Sequence, residues 1–219
     1  MKHVVLIGTS HIAKQSIQEV TQAIEIHNPR MICLEIDAKR LPGLFSKGNA
    51  KQSWRRIGTK GYIFALIASW AEKKLGDMVG TSPGEEMKTA ITIAKEKSIP
   101  IALIDQDIEI TLKRLSKTLS WKEKGRFIWD ILKAVTTRKP DIEFDLRTVP
   151  EKRIIQVLIS KVRERYPNVF RVLIEERNIY MAARIKEIIS QHPNEKILVI
   201  VGAGHEEGIT KLLSDYVIQ

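Results

Sequence analysis

Two segments near the ends of the chain follow the same plan, and that plan limits the fold more than anything else in the sequence. Val4 to Ile7 is a short, continuous, largely β-branched run that ends at Gly8, and Gly8-Thr9-Ser10-His11 follows it. Ile197 to Val201 is a second such run, and Gly202-Ala203-Gly204-His205 follows that. An unbroken apolar run ending at a glycine reads as a strand buried on both faces and entering a tight turn. Strands of that kind belong to parallel sheets with helices on either side. Both imidazoles are then expected at the carboxyl ends of parallel strands, where open α/β sheets bind their ligands.

The intervening segments supply the rest of an α/β fold. From Lys14 a helical stretch carries Ile17, Val20 and Ile24 on one face, and Asn28-Pro29 stops it. Met31 to Ile36 is a second buried strand, so the opening reads β-α-β, implying a parallel pair with a right-handed crossover. Pro83-Gly84 introduces a helix with Met87, Ala90, Ile91 and Ala94 at helical spacing, and Ile101 to Ile104 forms a third buried strand. Residues 40–82 read as a helical insertion containing the apolar run Gly61 to Ala71. Residues 110–190 read as a charged helical section packed over the sheet, broken near Lys139-Pro140 and Tyr166-Pro167. No Gly/Ser- or Pro-rich linker divides the chain, so residues 1–219 read as one α/β domain with a mainly parallel central sheet.

Composition narrows the class of partner. The chain has 36 Lys and Arg against 26 Asp and Glu, a formal charge of +10, which favours something anionic: nucleic acid, a membrane surface or an acidic substrate. The basic residues are scattered, as in Lys113-Arg114, Lys122/Lys124/Arg126 and Lys161/Arg163/Arg165. They read as a solvated face, neither a basic tail nor a patch interleaved with stacking aromatics, and this disfavours nucleic acid. The single cysteine, Cys33, lies in an apolar run and is expected to be buried and unreactive. The opening apolar segment is too short for a signal peptide, and Gly61 to Ala71 falls short of the roughly 20 residues that span a bilayer. A soluble, cytoplasmic protein without a transmembrane segment is expected, with homo-oligomerisation left open.

The residues that can carry chemistry are histidines and carboxylates. A single Gly-x-x-His is common by chance, but a pair, each after its own strand, points to one site. Glu35 stands at the end of the second strand, where a carboxylate is either exposed or buried against a cation, a metal or hydrogen-bond donors. Glu86 lies in the first turn of a helix, a position the macrodipole favours with or without chemistry. Glu176 and Arg177 put charge on the apolar stripes of Leu173, Ile174, Tyr180, Met181 and Ile185, reading as a buried salt bridge or part of a site. The turn after the first strand lacks the G-x-G-x-x-G spacing for a dinucleotide, and neither a P-loop, HExxH, GxSxG nor cysteine-rich zinc pattern occurs. Nitrogen and oxygen donors of this kind suit divalent zinc, manganese, cobalt or iron with a water to activate.

The ordered set of motifs resembles the TraB/PrgY family, to which the Tiki proteases are distantly similar. The matching segments are GTSHIAKQSIQEV from Gly8, ICLEIDAKRL from Ile32, the stretch from Pro83 to Leu115, EERNIYMAARI from Glu175 and VGAGHEEGI from Val201. The resemblance implies a TraB/Tiki/erythromycin-esterase-like α/β sheet with helical cover and a divalent-metal-dependent hydrolase acting on peptides. It carries over His11, Glu35, Glu86, Arg114, Glu176, Arg177 and His205 as site residues. His11 and His205 would be metal ligands or acid/base groups, Glu35 and Glu176 further ligands or bases, and the ion manganese, cobalt or zinc. Arg114 and Arg177 would orient carboxylates or hold an oxyanion. The family's usual LIDRD reads Leu103-Ile104-Asp105-Gln106-Asp107 here, and its usual ERD reads Glu176-Arg177-Asn178. Those two changes support the alternative, a non-catalytic protein that binds a peptide or small signalling molecule, as the pheromone-shutdown role of some relatives suggests.

Overall fold

A computed structural model describes residues 4–9, 14–45, 84–136 and 151–216. Four strands, β1 (Val4–Thr9), β2 (Met31–Leu34), β3 (Ile101–Leu103) and β4 (Ile197–Gly202), form one parallel sheet in the order β1-β4-β2-β3. The helices are α1 (Lys14–His27), α2 (Leu41–Phe45), α3 (Glu85–Glu96), α4 (Ile108–Thr118), α5 (Trp121–Thr136), α6 (Glu151–Arg165), α7 (Pro167–Phe170), α8 (Glu176–Gln191) and α9 (Ala203–Leu212). A π-helical stretch, Arg171–Glu175, joins α7 to α8, and the backbone stays helical through both junctions. Most of the expected insertion at 40–82 lies outside the described residues; its described part contains α2.

The strands sit where the apolar runs place them, but one expected pairing is corrected. β1 and β2 are parallel without being neighbours, because β4 lies between them and bonds to both. Ile197 to Val201 is fully buried, and a strand with no polar side chain on either face is best accommodated at the centre of the sheet. Alternation along β4 then sorts the core. Ile197, Val199 and Val201 pack with Met181, Ala182 and Ile185 of α8 and Ile209 of α9. Leu198 and Ile200 pack with Val20 and Ile24 of α1 and with Met87, Ala90 and Ala94 of α3.

The same parity directs the chain ends of the strands. On β2, Ile32, Leu34 and the following Ile36 join the α1/α3 side, while Cys33 joins the α8/α9 side. Glu35, two residues beyond Cys33, therefore emerges toward α8 and α9. Burial also pushes the Cys33 thiol up to about 12, so it stays protonated and inert. Register pairs Gly8 with Val201 and Thr9 with Gly202, which sets the carboxyl ends of β1 and β4 side by side. From there the chain leaves β1 for a helix on one face and β4 for a helix on the other, the arrangement that opens a crevice at a carboxyl edge.

Glu123 is one of the carboxylates that tie down the helical section. Ser120 and Glu123 form a reciprocal cap at the start of α5: Ser120 N and Oγ donate to Glu123 Oε2 at 2.9 and 2.8 Å, and Glu123 N donates back to Ser120 Oγ at 3.2 Å. Asn168 of α7 adds its backbone N and Nδ2, each at 2.8 Å. Burial works to raise the pKa of Glu123, but the hydrogen bonds from Asn168 and Ser120 outweigh it and hold the carboxyl down at about 2. A carboxyl depressed in the fold contributes stability above its unfolded value of about 4.5 and loses it as pH falls toward 2. Chemical denaturation across that window is expected to show the wild type losing up to about 3 kcal/mol more than Glu123→Gln; equal slopes for the two proteins would contradict this role.

Candidate functional site

Arg177 stands one residue into α8, and its guanidinium reaches under the carboxyl ends of β2 and β3. Nε donates to Asp105 Oδ1 at 2.9 Å, and Nη2 donates to Asp105 Oδ2 at 2.7 Å and to Glu35 Oε1. Nη1 donates to the Leu173 carbonyl oxygen at 3.3 Å and lies 3.0 Å from His205 Nε2. The Leu173 carbonyl belongs to the π-helical stretch, where the regular i→i−4 ladder is loosened and a carbonyl can accept from a side chain. All five N–H groups of the fork thus have acceptors. Burial disfavours the charged guanidinium, but Glu35 and Asp105 outweigh it and push its pKa up.

The partners of Arg177 are themselves fixed. Glu35, with a side chain 7% exposed, accepts the Gly202 backbone N–H through Oε2 at 2.6 Å, so the first residue of the second glycine turn is bound to the end of β2. Asp105 also accepts its neighbour's backbone N–H from Gln106 at 2.8 Å and an ion pair from Arg40. Arg40 Nε reaches back to the buried Asp37 at 2.5 Å. Alongside, Lys39 bridges Asp107 at 2.8 Å and Glu109 at 3.0 Å, so the loops after β2 and β3 are joined by two sets of charges.

His205 lies in the first turn of α9, buried, with both nitrogens engaged. Nδ1 is 2.6 Å from Asn178 Oδ1, and Nε2 is 3.0 Å from Arg177 Nη1 and 3.3 Å from Glu35 Oε1. An arginine can only donate, so Nε2 accepts, and the ring proton is on Nδ1, donating to Asn178. Two glycines make this geometry feasible. A Cβ at Gly208 would meet Asn178 Nδ2 at 2.1 Å, so the amide reaches His205 across a bare backbone. A Cβ at Gly8 would meet Glu206 Oε2 at 2.2 Å, so the glycine of the first Gly-x-x-His motif leaves room for a carboxylate from the second.

Of the residues singled out from the sequence, Glu35, Arg177 and His205 come together. Arg114 and Glu176 pair with each other instead, with Nε–Oε2 at 3.0 Å and Nη2–Oε1 at 2.7 Å. The Arg114 guanidinium holds the Glu176 carboxyl below its usual range. Glu176 and Arg177, read as one charged unit, therefore belong to two different networks. Glu86 is buried, 2% exposed, in the first turn of α3 on the opposite face of the sheet from α8 and α9. His11 lies outside the described residues. Asp105 and Arg40 were not singled out, although Asp105 follows an apolar strand just as Glu35 does, and that signal would have found it.

Both Glu35 oxygens and both His205 nitrogens are engaged, Glu176 is taken by Arg114, and the Arg177 guanidinium holds the place where a cation beside Glu35 and His205 would stand. Glu35, Glu176 and His205 in this arrangement do not fit a divalent ion, and among the described residues no group of three or more His, Cys, Asp or Glu could hold one.

Two outcomes follow from the network. Replacing Arg177 by Met strands Glu35 and Asp105 in the interior, and denaturant unfolding is expected to show a loss of about 3–5 kcal/mol; a loss under about 1 kcal/mol would mean that the carboxylates find other partners. Gly208→Ala is expected to cost about 1–3 kcal/mol by displacing the Asn178 amide. Asn178→Ser should recover part of that loss in the double variant, whereas simple additivity would show that the two positions do not press on each other.

Comparison with other proteins agrees with the motif order. The sequence profile of the TraB/PrgY/gumN family matches residues 2–215. The chain is 36% identical over 219 residues to an uncharacterised protein of Methanocaldococcus jannaschii, covering 95% of this chain and 52% of that protein. It is 22% identical over 237 residues to the TraB domain-containing protein of Homo sapiens, covering 95% of this chain and 62% of the human protein. The chain thus spans only about half to three-fifths of the length of these relatives. Among solved structures, a mutant erythromycin esterase in its open conformation aligns with 92% of this chain and 60% of its own, at a TM-score of 0.36 and 12% identity. With a family profile that runs through nearly the whole chain, this protein belongs to the TraB/PrgY/gumN family.

Proposed function

We propose that the protein is a hydrolase that cleaves a peptide or small acyl substrate at the carboxyl edge of its sheet, with His205 as the proton-transfer group. The observation that carries this reading is the state of the imidazole. It is buried at the carboxyl edge of the sheet, its proton is held on Nδ1 by Asn178, and its basic nitrogen is directed toward Glu35 and Arg177. A neutral imidazole in a defined tautomer is the form that takes a proton from a water or hydroxyl attacking a carbonyl. Once Nε2 is protonated it can donate to Glu35, 3.3 Å away, which stabilises the imidazolium, and Nη1 of Arg177 is released from it. Asn178 fixes the ring but brings no negative charge, so Glu35 is the charge partner. His11, which follows the neighbouring strand in sequence, is proposed as the second imidazole of the same site.

A second reading has its own support. Every N–H of Arg177 is used within the protein, and a closed network of that kind is suited to holding the shape of a pocket that binds a peptide or small signalling molecule without cleaving it.

A panel of peptides and small esters, incubated with the wild type, His205→Ala and His11→Ala, separates the two. Cleavage by the wild type is expected, falling by about 10²- to 10⁴-fold in His205→Ala. Since Arg177 holds the cation position beside His205, that factor is expected to be the same after chelation and after reloading with manganese, cobalt or zinc. Peptide binding measured calorimetrically with no turnover in any metal state would overturn the hydrolase and support the second reading.

A further inference from the structure

Helix α5 faces the wrong way for a surface helix of a water-soluble domain. Its inward side carries Glu123, Phe127 and Asp130, spaced four and three residues apart. Glu123 closes the cap with Ser120 and Asn168, Phe127 packs edge-on against Tyr166 with ring centroids 6.3 Å apart, and Asp130 takes Arg165 Nε at 2.6 Å together with the Tyr166 hydroxyl. Its outward side carries Trp121, Gly125, Ile128 and Trp129, with Trp121 86%, Ile128 60% and Trp129 67% exposed. A helix normally turns its apolar stripe to the core and its charges to water. Here the polar groups hold the helix to the protein, and the tryptophans are left outside.

The charges beside that stripe choose its occupant. From Trp121 to Asp130 the carboxylates are Glu123 and Asp130, and both are turned inward, so the outer flanks carry cations alone. Lys122 lies exposed on one flank, and Lys124 on the other, with its Nζ 4.6 Å over the Trp121 ring. The expectation that the basic residues of this section are not interleaved with aromatics is thereby corrected: Trp121 and Trp129 stand between them in space. Tryptophan is favoured at the boundary between headgroups and acyl chains, and lysines on either side of an apolar strip meet anionic headgroups. The chain's charge of +10 acts in the same direction.

We propose that α5 is a membrane-docking helix that lies in the plane of an anionic lipid surface, with Trp121, Ile128 and Trp129 in the interface and Lys122 and Lys124 against the headgroups. This surface is independent of the Glu35–Arg177–His205 network.

Flotation of the full chain with vesicles tests it, using phosphatidylcholine alone and phosphatidylcholine mixed equally with phosphatidylglycerol. The chain is expected to float with the anionic vesicles and not the neutral ones, with release as salt is raised. Trp121→Ser/Trp129→Ser and Lys122→Glu/Lys124→Glu are each expected to lower the partition constant by about tenfold or more. Circular dichroism and melting of both variants check that they fold, since every replaced side chain is on the outer flanks or stripe. Wild type that stays unbound with anionic vesicles, or that binds equally well with the tryptophans replaced, would overturn the proposal. So would a concentration-dependent dimer that the tryptophan variant abolishes in the absence of vesicle binding, because the face would then belong to a second copy.

Discussion

Arg177 draws acceptors from the end of β2, the end of β3, the preceding π-helical stretch and the first turn of α9. Ions removed from water each lose several kcal/mol of hydration, and their mutual attraction offsets this only when geometry and hydrogen bonding are nearly complete. That condition explains why so much of the carboxyl edge is committed to one side chain. β2 must end so that Glu35 faces α8, β3 must lead into Asp105, and α8 must arrive with Arg177 at the right height. The loss of any one of these leaves a buried charge without its partner.

Other features of the fold read as consequences. β4 lies inside the sheet, and the N–H of its terminal Gly202 anchors the second oxygen of Glu35, so β2 and β4 are bound at their tips as well as along their ladder. Bare backbone at Gly8 and Gly208 lets Glu206 and the Asn178 amide approach. Gly8 of the first motif and Gly208, three residues beyond His205, therefore serve close packing of polar side chains. Asn178 defines what the site can do: an amide oxygen selects the Nδ1–H tautomer of His205 as a carboxylate would, but leaves Glu35 as the neighbouring negative charge.

Much of this was legible in the sequence, and the part that was not has a physical cause. Unbroken apolar runs marked all four strands because double-sided burial removes polar residues. Glycine and histidine after two of them marked the edge where Glu35, Arg177 and His205 come together. Strand order was not legible: a β-α-β opening implies parallel strands and a crossover, but only the extreme apolarity of Ile197 to Val201 hinted that a strand from the far end of the chain would be inserted between them. Glu176 and Arg177 could not be separated by pattern, since adjacent helical residues point about 100° apart and the π-helical stretch shifts the phase just before them. The inverted helix α5 was hidden for a related reason. Periodicity locates an apolar stripe but not its outward direction, and here Glu123, Phe127 and Asp130 decide it through contacts 35 to 45 residues away in the chain.

The central claim is that Arg177 and Asn178 together hold His205 neutral, with its proton on Nδ1 and its basic nitrogen facing Glu35. Nitrogen-15 spectra of the imidazole rings, with His205 assigned by comparison with His205→Gln, read this directly. At neutral pH a protonated Nδ1 and an unprotonated Nε2 are expected, and the proton on Nε2, or an imidazolium carrying both, would contradict the account.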